Sequence, residues 1–419
     1  MLRHITVNQL VEHRFASFQD ASDALLEIIP EVASRGDEAL FEFTKRFDGV
    51  SLDTLMVSEE SIQNAFEEVD DEILQALMDA FERIVMFHQL QKEKDLWLHE
   101  MGPGILLGMK VTPLERIGIY VPGGKAAYPS TVLMCAAPAR IAGVSEICLC
   151  TPPGENGPSA LTLVACAICG IDEIYQVGGA QAIAAMAYGT ESIPCVDKIV
   201  GPGNAYVAAA KRFLQGTVAI DFLAGPSEVV IIADDSADAM FVAADIIAQC
   251  EHDPSAVAIL ITPSESFAAL VDEKIKIQVK KTARKEIVSV ALQNAGVIFT
   301  SDLDEAVSVA NAIAPEHLSV QVAEPLALLS QIQNAGSIFI GSYAPVACGD
   351  YASGTNHVLP TAGEARRYSG LNVSHFTKSS TVQVITKEGL MQIHDTVEKI
   401  ADAEGLQAHA DSVRIRLDS

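Results

Sequence analysis

Positive charge is scarce in this chain. Its 419 residues include 28 Lys and Arg against 55 Asp and Glu, for a formal net charge of -27. Nucleic acid and anionic lipid are themselves acidic, so we expect neither as a partner. The N-terminus also lacks an apolar run of the signal-peptide type, and the most apolar stretches, such as residues 161–171, are much shorter than a membrane span. These absences predict a soluble, globular protein of the cytoplasm with no membrane partner.

Dense cysteine spacing is absent as well. Eight cysteines are scattered among apolar neighbours, unlike the pattern of a small secreted disulfide protein, so we expect reduced thiols. Cys166 and Cys169 form a CxxC pair, which would suit a redox or zinc site. They lie, however, within a run of small apolar residues of helical pattern that ends at Gly170. We therefore predict that both thiols pack in a hydrophobic core.

Short β-branched runs alternate with alanine-rich helical segments from about Ile105 onward, the pattern of parallel sheets with crossover helices. The predicted strands form two groups, which cover residues 117–121, 146–151, 173–177 and 198–200, and residues 228–233, 257–262, 296–300, 318–322 and 337–341. Each group has an apolar strand that ends in Thr-Pro, at residues 151–152 and 262–263, which hints at a duplicated unit. The predicted fold class is α/β, with two consecutive Rossmann-like parallel-sheet domains.

Helical patterns dominate both ends of the chain. Residues 20–35 and 61–91 have apolar side chains at intervals of three and four, which predicts helices before about Ile105. After about Leu371 we expect a small helical tail, with apolar residues on helical spacing within 387–410. A tail of that length cannot bury a core alone. These terminal segments are therefore expected to dock on another surface, such as a second copy of the chain.

A polar loop at residues 349–360 carries the most concentrated set of functional groups. Asp350 and His357 are both suited to bind zinc or to transfer protons, and Gly349 and Gly354 allow a tight backbone path. An Asp and a His at this spacing also occur in an ordinary turn capped by aspartate. From the loop alone, both interpretations stay open.

Two further pairs have the same ambiguity. Gln249 and His252 lie three apart on one face of a predicted helix, where they form either a metal-binding pair or a polar helix end. Glu316 and His317 lie at the start of a predicted strand, where both can point into a cleft, although such pairs also arise by chance. No HExxH motif is present to decide in favour of a metal.

Glycine turns follow three of the predicted strands, at residues 121–124, 177–181 and 200–204. Loops at the carboxyl ends of parallel strands commonly bind ligands, and glycine lets the backbone approach a phosphate. None of these turns contains GxGxxG, so they do not by themselves predict an ordinary Rossmann dehydrogenase. In the tail, Glu404 and His409 either serve a function or belong to a solvated helix face.

Seven runs together give a more specific signal. In order along the chain they are Tyr120-Val-Pro-Gly-Gly, Val177-Gly-Gly-Ala-Gln-Ala-Ile, Gly201-Pro-Gly-Asn, Ala224-Gly-Pro-Ser-Glu, Gln249-Cys-Glu-His, Pro315-Glu-His-Leu and Gly349-Asp-Tyr-Ala-Ser-Gly-Thr-Asn-His-Val-Leu-Pro. This set resembles the histidinol dehydrogenase family, in the family's order and over essentially the whole chain. The resemblance implies a homodimeric enzyme that uses zinc and NAD to oxidise L-histidinol through L-histidinal to L-histidine, the last step of histidine synthesis.

The resemblance also implies roles for individual residues. One zinc per subunit would be bound by Gln249, His252, Asp350 and, reaching in from the second copy, His409 of the partner subunit. Glu316 and His317 would be the acid-base pair. His317 is the better base for the alcohol, since imidazole titrates near neutral pH, and Glu316 is the better activator of the water that hydrates the aldehyde.

Substrate and cofactor contacts follow from the same resemblance. The substrate-binding residues would be Ser227, Gln249, His252, His317, Asp350, His357 and, from the second copy, the partner subunit's Glu404 and the partner subunit's His409. Glu404 would meet the amino group of the substrate, which favours an amino alcohol over a neutral or anionic one. The NAD-binding residues would be Tyr120, Gln181 and Asn204.

The resemblance further implies a division of the chain. Residues 1–19 would form an N-terminal dimerisation segment, and residues 20–115 with 229–371 a first α/β domain that carries the metal and substrate site. Residues 116–228 would form a second, NAD-binding α/β domain, and residues 372–419 a helical tail that completes the partner's site. Three alternatives stay open: a paralogue that oxidises another small primary alcohol such as a sulfonated diol, a zinc hydrolase, and a metal-stabilised binding protein.

Overall fold

The computed structural model describes residues 2–10, 22–123, 127–155, 157–223 and 225–418. Its strands are β1 Arg3–His4, β2 Leu96–Gly102, β3 Ile105–Pro113, β4 Arg116–Tyr120, β5 Glu146–Cys150, β6 Glu173–Tyr175, β7 Lys198–Val200, β8 Ala219–Ile220, β9 Glu228–Ala233, β10 Val257–Thr262, β11 Gly296–Phe299, β12 His317–Gln321, β13 Ser337–Ile340 and β14 Thr377–Ile385. The α-helices after residue 21 are α1 Ser22–Arg35, α2 Asp37–Phe47, α3 Glu59–Glu68, α4 Asp71–Gln89, α5 Pro129–Ala142, α6 Ala160–Ile168, α7 Gly179–Tyr188, α8 Ala205–Leu214, α9 Ala239–Cys250, α10 Glu265–Gln278, α11 Lys285–Ala291, α12 Leu303–Ile313, α13 Pro325–Leu328, α14 Val346–Tyr351, α15 Lys387–Ala403 and α16 Gln407–Leu417. Within these described ranges, no helix combines the length and the apolar composition that a membrane crossing requires.

Two parallel sheets with the same strand order form the centre of the fold. The order is β6-β5-β4-β7-β8 in the five-stranded sheet and β1-β11-β10-β9-β12-β13 in the six-stranded sheet. Apart from β1, which adds to the edge of the six-stranded sheet, each sheet begins at a central strand, β4 or β9, adds strands on one side, and then continues on the other side with β7 or β12. The predicted α/β class with two Rossmann-like parallel sheets is therefore confirmed. The shared order also agrees with the duplication suggested by the sequence.

The central strands of the six-stranded sheet are buried along their whole length. β9, β10 and β12 have no exposed residue. A parallel sheet covered by helices on both faces needs consecutive apolar residues rather than alternating ones, and the runs at 229–233 and 257–261 meet this need. β12 departs from the pattern, because His317, Ser319 and Gln321 are polar and still buried. Polar residues in such a strand require specific partners.

Local patterns do not predict the third sheet, which is antiparallel. β3 pairs with β2 and with β14, the latter from Thr377↔Pro113 to Ile385↔Ile105. The expectation of helix before Ile105 and throughout the tail is therefore wrong for β2 and β14, while α3, α4, α15 and α16 are helical as expected. β14 joins β3 from far along the chain, and the residues of β2 are mostly exposed, so neither has a clean alternating pattern.

The N-terminal segment 1–19 is described only in part. Arg3–His4 form β1, which pairs with β11 at the edge of the six-stranded sheet. Leu2 N–H also donates to Asp272 Oδ1 of α10, at 2.9 Å. Residues 11–19 of the segment lie outside the described residues, and its predicted role in dimerisation stays a prediction.

The CxxC cysteines belong to the core, as predicted. Cys166 lies in α6 and Cys169 caps its C-terminal end, and both are buried in a cluster with residues of α5 and β5. Burial raises the pKa of the Cys169 thiol to about 12, so the thiol stays protonated at neutral pH. Both thiols are free and buried among apolar side chains.

Truncation of a buried leucine should test the packing of β5. Leu149 is fully buried in that strand, and Leu149→Ala should destabilise the protein by about 2–5 kcal/mol because the surrounding core cannot fill the cavity. Urea or thermal unfolding measures the loss. Leu326→Ala is the matched control, since Leu326 is 72% exposed, and should stay within about 0.5 kcal/mol of the unsubstituted protein. Equal losses in the two variants would contradict the burial of β5.

Candidate active site

The predicted acid-base pair lies where two central strands begin. Glu316 precedes β12, His317 is its first residue, and β12 pairs in parallel with β9 through His317↔Val229. This register brings the backbone of Glu228 beside the pair. Glu228 N–H donates to Glu316 Oε2 at 2.8 Å, and Glu316 N–H donates to Glu228 Oε1 at 3.3 Å. Both side chains are thereby held at the amino edge of the six-stranded sheet.

One hydrogen bond determines the tautomer of His317. Its Nδ1 lies 3.1 Å from the Glu228 carbonyl oxygen, which can only accept, so Nδ1 carries the proton. Nε2 is left with its lone pair and lies 3.8 Å from Asp350 Oδ1. Nδ1 is also 3.5 Å from Glu316 Oε2. Burial lowers the pKa of His317 to about 3, and the His252 and His357 rings make smaller contributions in the same direction. The imidazole is therefore neutral, so its contacts with Glu316 and Asp350 are not ion pairs.

Burial acts in the opposite direction on the carboxyl groups of the cluster. It raises the pKa of Glu316 well above its ordinary value, and the neighbouring Glu228 and Asp350 carboxylates add to the rise. It also raises the pKa of Asp350 to about 7. A carboxylate held in such an environment is a stronger base than an exposed one. The arrangement therefore suits proton transfer near neutral pH.

The loop at 349–360 contacts His317 through Asp350 and reaches the other sheet. Asp350 lies in α14, and its carbonyl oxygen accepts from His357 Nδ1 at 2.8 Å. His357 Nε2 lies 3.3 Å from the hydroxyl of Thr131, in the first turn of α5. Since α5 follows β4, this contact links the loop to the carboxyl edge of the five-stranded sheet. Burial lowers the pKa of His357 to about 4, so its ring is neutral.

Gln249 and His252 are presented by the C-terminal end of α9. Gln249 is 2% exposed, and both its amide oxygen and its amide nitrogen are buried without a hydrogen-bond partner. His252 lies just beyond the helix, near enough to His317 and His357 to disfavour their protonation. An amide buried without partners costs about 1–3 kcal/mol, and a bound cation would satisfy its oxygen. Gln249 therefore fits a ligand position better than a polar helix end.

A single chain supplies an incomplete set of the expected metal ligands. Across the described ranges, no group of three or more His, Cys, Asp and Glu side chains is placed to hold a metal. His252 and Asp350 are the expected donors of those types, and Gln249 adds an amide. Glu404 follows α15 and His409 lies in the first turn of α16, both exposed and without a side-chain hydrogen bond or ion pair in the described structure. One chain therefore does not bring these two tail residues to the cluster.

The three residues expected to bind NAD follow strands of the five-stranded sheet. Tyr120 ends β4, and its hydroxyl accepts from Gly179 N–H at 3.0 Å. Gln181 lies in the first turn of α7, after β6, and is buried. Asn204 follows β7 and caps α8 through Oδ1. They share the carboxyl edge of the sheet, where parallel sheets of this order bind nucleotides.

The remaining expected residue, Ser227, is half-buried directly before β9, beside Glu228. Two residues of the cluster are missed by the reasoning from sequence. Glu228 belongs to the Gly-Pro-Ser-Glu run, yet nothing in that run reveals that its backbone holds the acid-base pair. Thr131 carries no signal at all, because its contact with His357 depends on the packing of distant elements.

The chain is similar to known proteins over nearly its whole length. The family model described as histidinol dehydrogenase matches residues 12–417. A histidinol dehydrogenase of Methanosarcina mazei is 52% identical over 404 residues, which cover 96% of this chain and 93% of the relative. One of Geobacter sulfurreducens is 48% identical over 405 residues, which cover 95% and 94%.

A solved structure gives the same result. The crystal structure of histidinol dehydrogenase from Elizabethkingia anophelis has a TM-score of 0.96 and 40% sequence identity, and the match covers 100% of this chain and 98% of that chain. The family model and the relatives match nearly the whole chain, and the fold agrees over its full length. The chain belongs to the histidinol dehydrogenase family.

Proposed function

We propose that this chain oxidises L-histidinol to L-histidine through L-histidinal in the cytoplasm, with NAD as the hydride acceptor in both steps. The observation that carries the proposal is the buried pair of Glu316 and His317, whose imidazole presents an unprotonated Nε2 toward Asp350. An alcohol must lose a proton and a hydride to become an aldehyde, and the aldehyde must take up water before a second hydride leaves. Two adjacent proton-transferring groups suit this sequence.

His317 takes the proton of the alcohol in this proposal. The hydrogen bond from Nδ1 to the Glu228 carbonyl oxygen keeps the lone pair on Nε2. Because burial lowers the pKa of His317 to about 3, the ring stays a neutral base from neutral to mildly acidic pH. The sequence alone predicts a loss of activity near the ordinary pKa of histidine, and the buried ring moves that loss to lower pH.

Glu316 activates the water that hydrates the aldehyde. The raised pKa means that Glu316, once ionised, is a stronger proton acceptor than an exposed carboxylate, and the Glu228 N–H holds Oε2 in one orientation. Glu316 Oε2 lies 3.5 Å from His317 Nδ1, so the two side chains are adjacent. Ser227, His357 and the partner's Glu404 would contact the substrate and orient it.

The donors of the cluster fit zinc. Gln249, His252 and Asp350 would hold it together with His409 of the partner subunit, one ion per subunit, and the unpartnered Gln249 amide is the support from this structure. When bound, zinc supplies a template that orients the substrate and polarises its oxygen. Gln249, His252 and Asp350 would thus contact both the metal and the substrate, and His317 would contact the substrate at the same place.

NAD would lie along the carboxyl edge of the five-stranded sheet, held by Tyr120, Gln181 and Asn204. When bound, NAD supplies the hydride acceptor. The contact of Thr131 with His357 supports this placement, since it joins that edge to the proposed substrate site. We accordingly propose residues 116–228 as the NAD-binding domain and residues 20–115 with 229–371 as the domain of metal and substrate.

The active form in this proposal is a homodimer with composite sites. Residues 372–419 would complete the site of the partner, and residues 1–19 would contribute to the interface. The antiparallel sheet and the tail leave large apolar side chains exposed, such as Trp97 of β2 at 46% and Ile415 of α16 at 69%. Exposed apolar area of this kind is typical of a protein interface.

Substitution of Glu316 tests the proposed reaction. The unsubstituted protein should form two NADH for each histidine, measured by absorbance and by product identification. Glu316→Gln keeps the size of the side chain and should lower kcat about a hundredfold or more, because the proton acceptor for water is lost. Glu324→Gln, at an exposed position just beyond β12, should leave kcat within about twofold. NADH formation unaffected by Glu316→Gln would contradict the assignment.

Substitution of Gln249 tests the proposed metal site independently of turnover. In chelator-treated protein, Gln249→Leu should not lower the unfolding temperature, because the buried amide has no hydrogen bond to lose. The matched control is Gln321→Leu, which should destabilise by about 1–3 kcal/mol, since Gln321 Nε2 donates to Asp245 Oδ2 at 2.8 Å. Zinc titration should show weaker binding only for Gln249→Leu. A loss of stability equal to that of Gln321→Leu would argue against a ligand role.

Mixing two inactive variants tests the composite site. A Glu316→Gln chain and a His409→Ala chain should each form inactive homodimers. In the mixed dimer, one site combines an intact Glu316 with an intact partner's His409, so random mixing should restore about a quarter of full activity. Steady-state NADH formation after co-expression is the measurement. Without any recovery, His409 would have to act within its own subunit or not at all.

A further inference from the structure

One ion pair holds both backbone groups of Gly201, directly after β7. Lys211 Nζ donates to the Gly201 carbonyl oxygen at 2.6 Å and to Asp221 Oδ1 at 2.7 Å. Gly201 N–H donates to Asp221 Oδ2 at 2.8 Å. Lys211 and Asp221 are 3% and 5% exposed. The three residues therefore form a closed set of hydrogen bonds shielded from water.

Gly201 has a positive φ and lies between two strand ends. Its φ is +107°, and an added Cβ would lie 2.2 Å from the Tyr120 carbonyl oxygen, so only glycine fits here. Tyr120 ends β4, and β4 and β7 are the neighbours at which the strand order of the five-stranded sheet reverses. A crevice at such a reversal is the usual dinucleotide site of this kind of sheet.

The ion pair also ties this turn to two further elements. Lys211 lies two turns into α8, and side chains of a helix lean toward its N-terminus, so the ammonium reaches back past Asn204 to Gly201. Asp221 directly follows the edge strand β8, and its N–H continues the ladder by donating to Ile199 O at 3.2 Å. Displacement of the pair would therefore shift Gly201 and the start of α8 together.

Stability alone does not account for two buried charges at this place. Removing both ions from water is costly, and apolar side chains of similar size are often as stable or more stable. Charged groups that hold both the N–H and the carbonyl of one residue do, however, fix that residue in position. We infer that Lys211 and Asp221 are positioning residues for NAD, which hold the Gly201–Asn204 turn in the shape that the cofactor binds. This inference rests on the proposed NAD role of residues 116–228.

Kinetics with varied NAD test the inference. Lys211→Met and Asp221→Asn each remove one charge with little change in volume. Each should raise KM for NAD about tenfold or more, with kcat at saturating NAD within about threefold and KM for L-histidinol unchanged, because neither residue contacts the reacting atoms. Calorimetric titration with NAD alone, without L-histidinol, should show the same loss of affinity.

Two further variants separate positioning from folding. Arg116→Met removes ion pairs with Glu146 and Glu173 at the amino edge of the same sheet, and should lower the unfolding temperature without changing the NAD affinity. Lys211→Arg keeps the charge, so it should fold even if Lys211→Met does not. The planar guanidinium of arginine cannot use a single nitrogen to donate to both Gly201 O and Asp221, as Lys211 Nζ does. KM for NAD should therefore rise about threefold.

The outcomes are distinct. If the Lys211 and Asp221 variants lose only stability, as Arg116→Met does, and KM for NAD is unchanged in all of them, the pair is structural and the inference is overturned. If the unsubstituted chain binds NAD but does not oxidise L-histidinol, the proposed function fails, and the NAD titrations still decide the role of the pair. An unsubstituted chain that does not bind NAD would overturn both.

Discussion

Parallel pairing of β9 with β12 is the interaction on which the candidate site depends. The register His317↔Val229 brings the N–H and the carbonyl of Glu228 against Glu316 and His317. These are main-chain contacts, so they orient the pair through the sheet itself rather than through neighbouring side chains. A slip of one residue would turn His317 to the opposite face of the sheet. The chemistry of the site thus rests on strand register as much as on residue identity.

Burial gives this cluster an electrostatic character that a cation would reverse. The pKa values of Glu316 and Asp350 are raised and those of His317 and His357 are lowered, so each group favours its neutral form. A divalent ion stabilises a neighbouring carboxylate. Because the pKa of Asp350 is about 7, binding of such an ion near neutral pH would release a proton from part of the molecules. Without a cation, burial keeps these groups neutral rather than charged.

Sequence reasoning succeeds where local pattern and local chemistry coincide. The strands of both parallel sheets appear as continuous apolar runs because helices cover both faces, and the glycine turns mark the carboxyl edge of the five-stranded sheet. Sequence reasoning fails for contacts between residues that are far apart along the chain. β14 pairs with β3, Thr131 contacts His357, and Glu228 supports Glu316 only through packing of separate segments. Gln249 is intermediate: its spacing from His252 is visible, but only the structure reveals that its amide is buried without a partner.

The two parallel sheets contribute opposite edges to the candidate site. Ligands of such sheets usually bind at the carboxyl edge, and only the five-stranded sheet follows this rule. The proposed NAD residues follow β4, β6 and β7, whereas Glu316 and His317 begin β12. The chain leaves β8 at its carboxyl end and enters β9 at its amino end through the short segment 221–227, so these two edges lie near each other. At the far end of β12, by contrast, Gln321 donates to Asp245 and packs the strand against α9. Because that short connection joins the carboxyl edge of one sheet to the amino edge of the other, the proposed acid-base pair lies where its strand starts and not at a carboxyl edge.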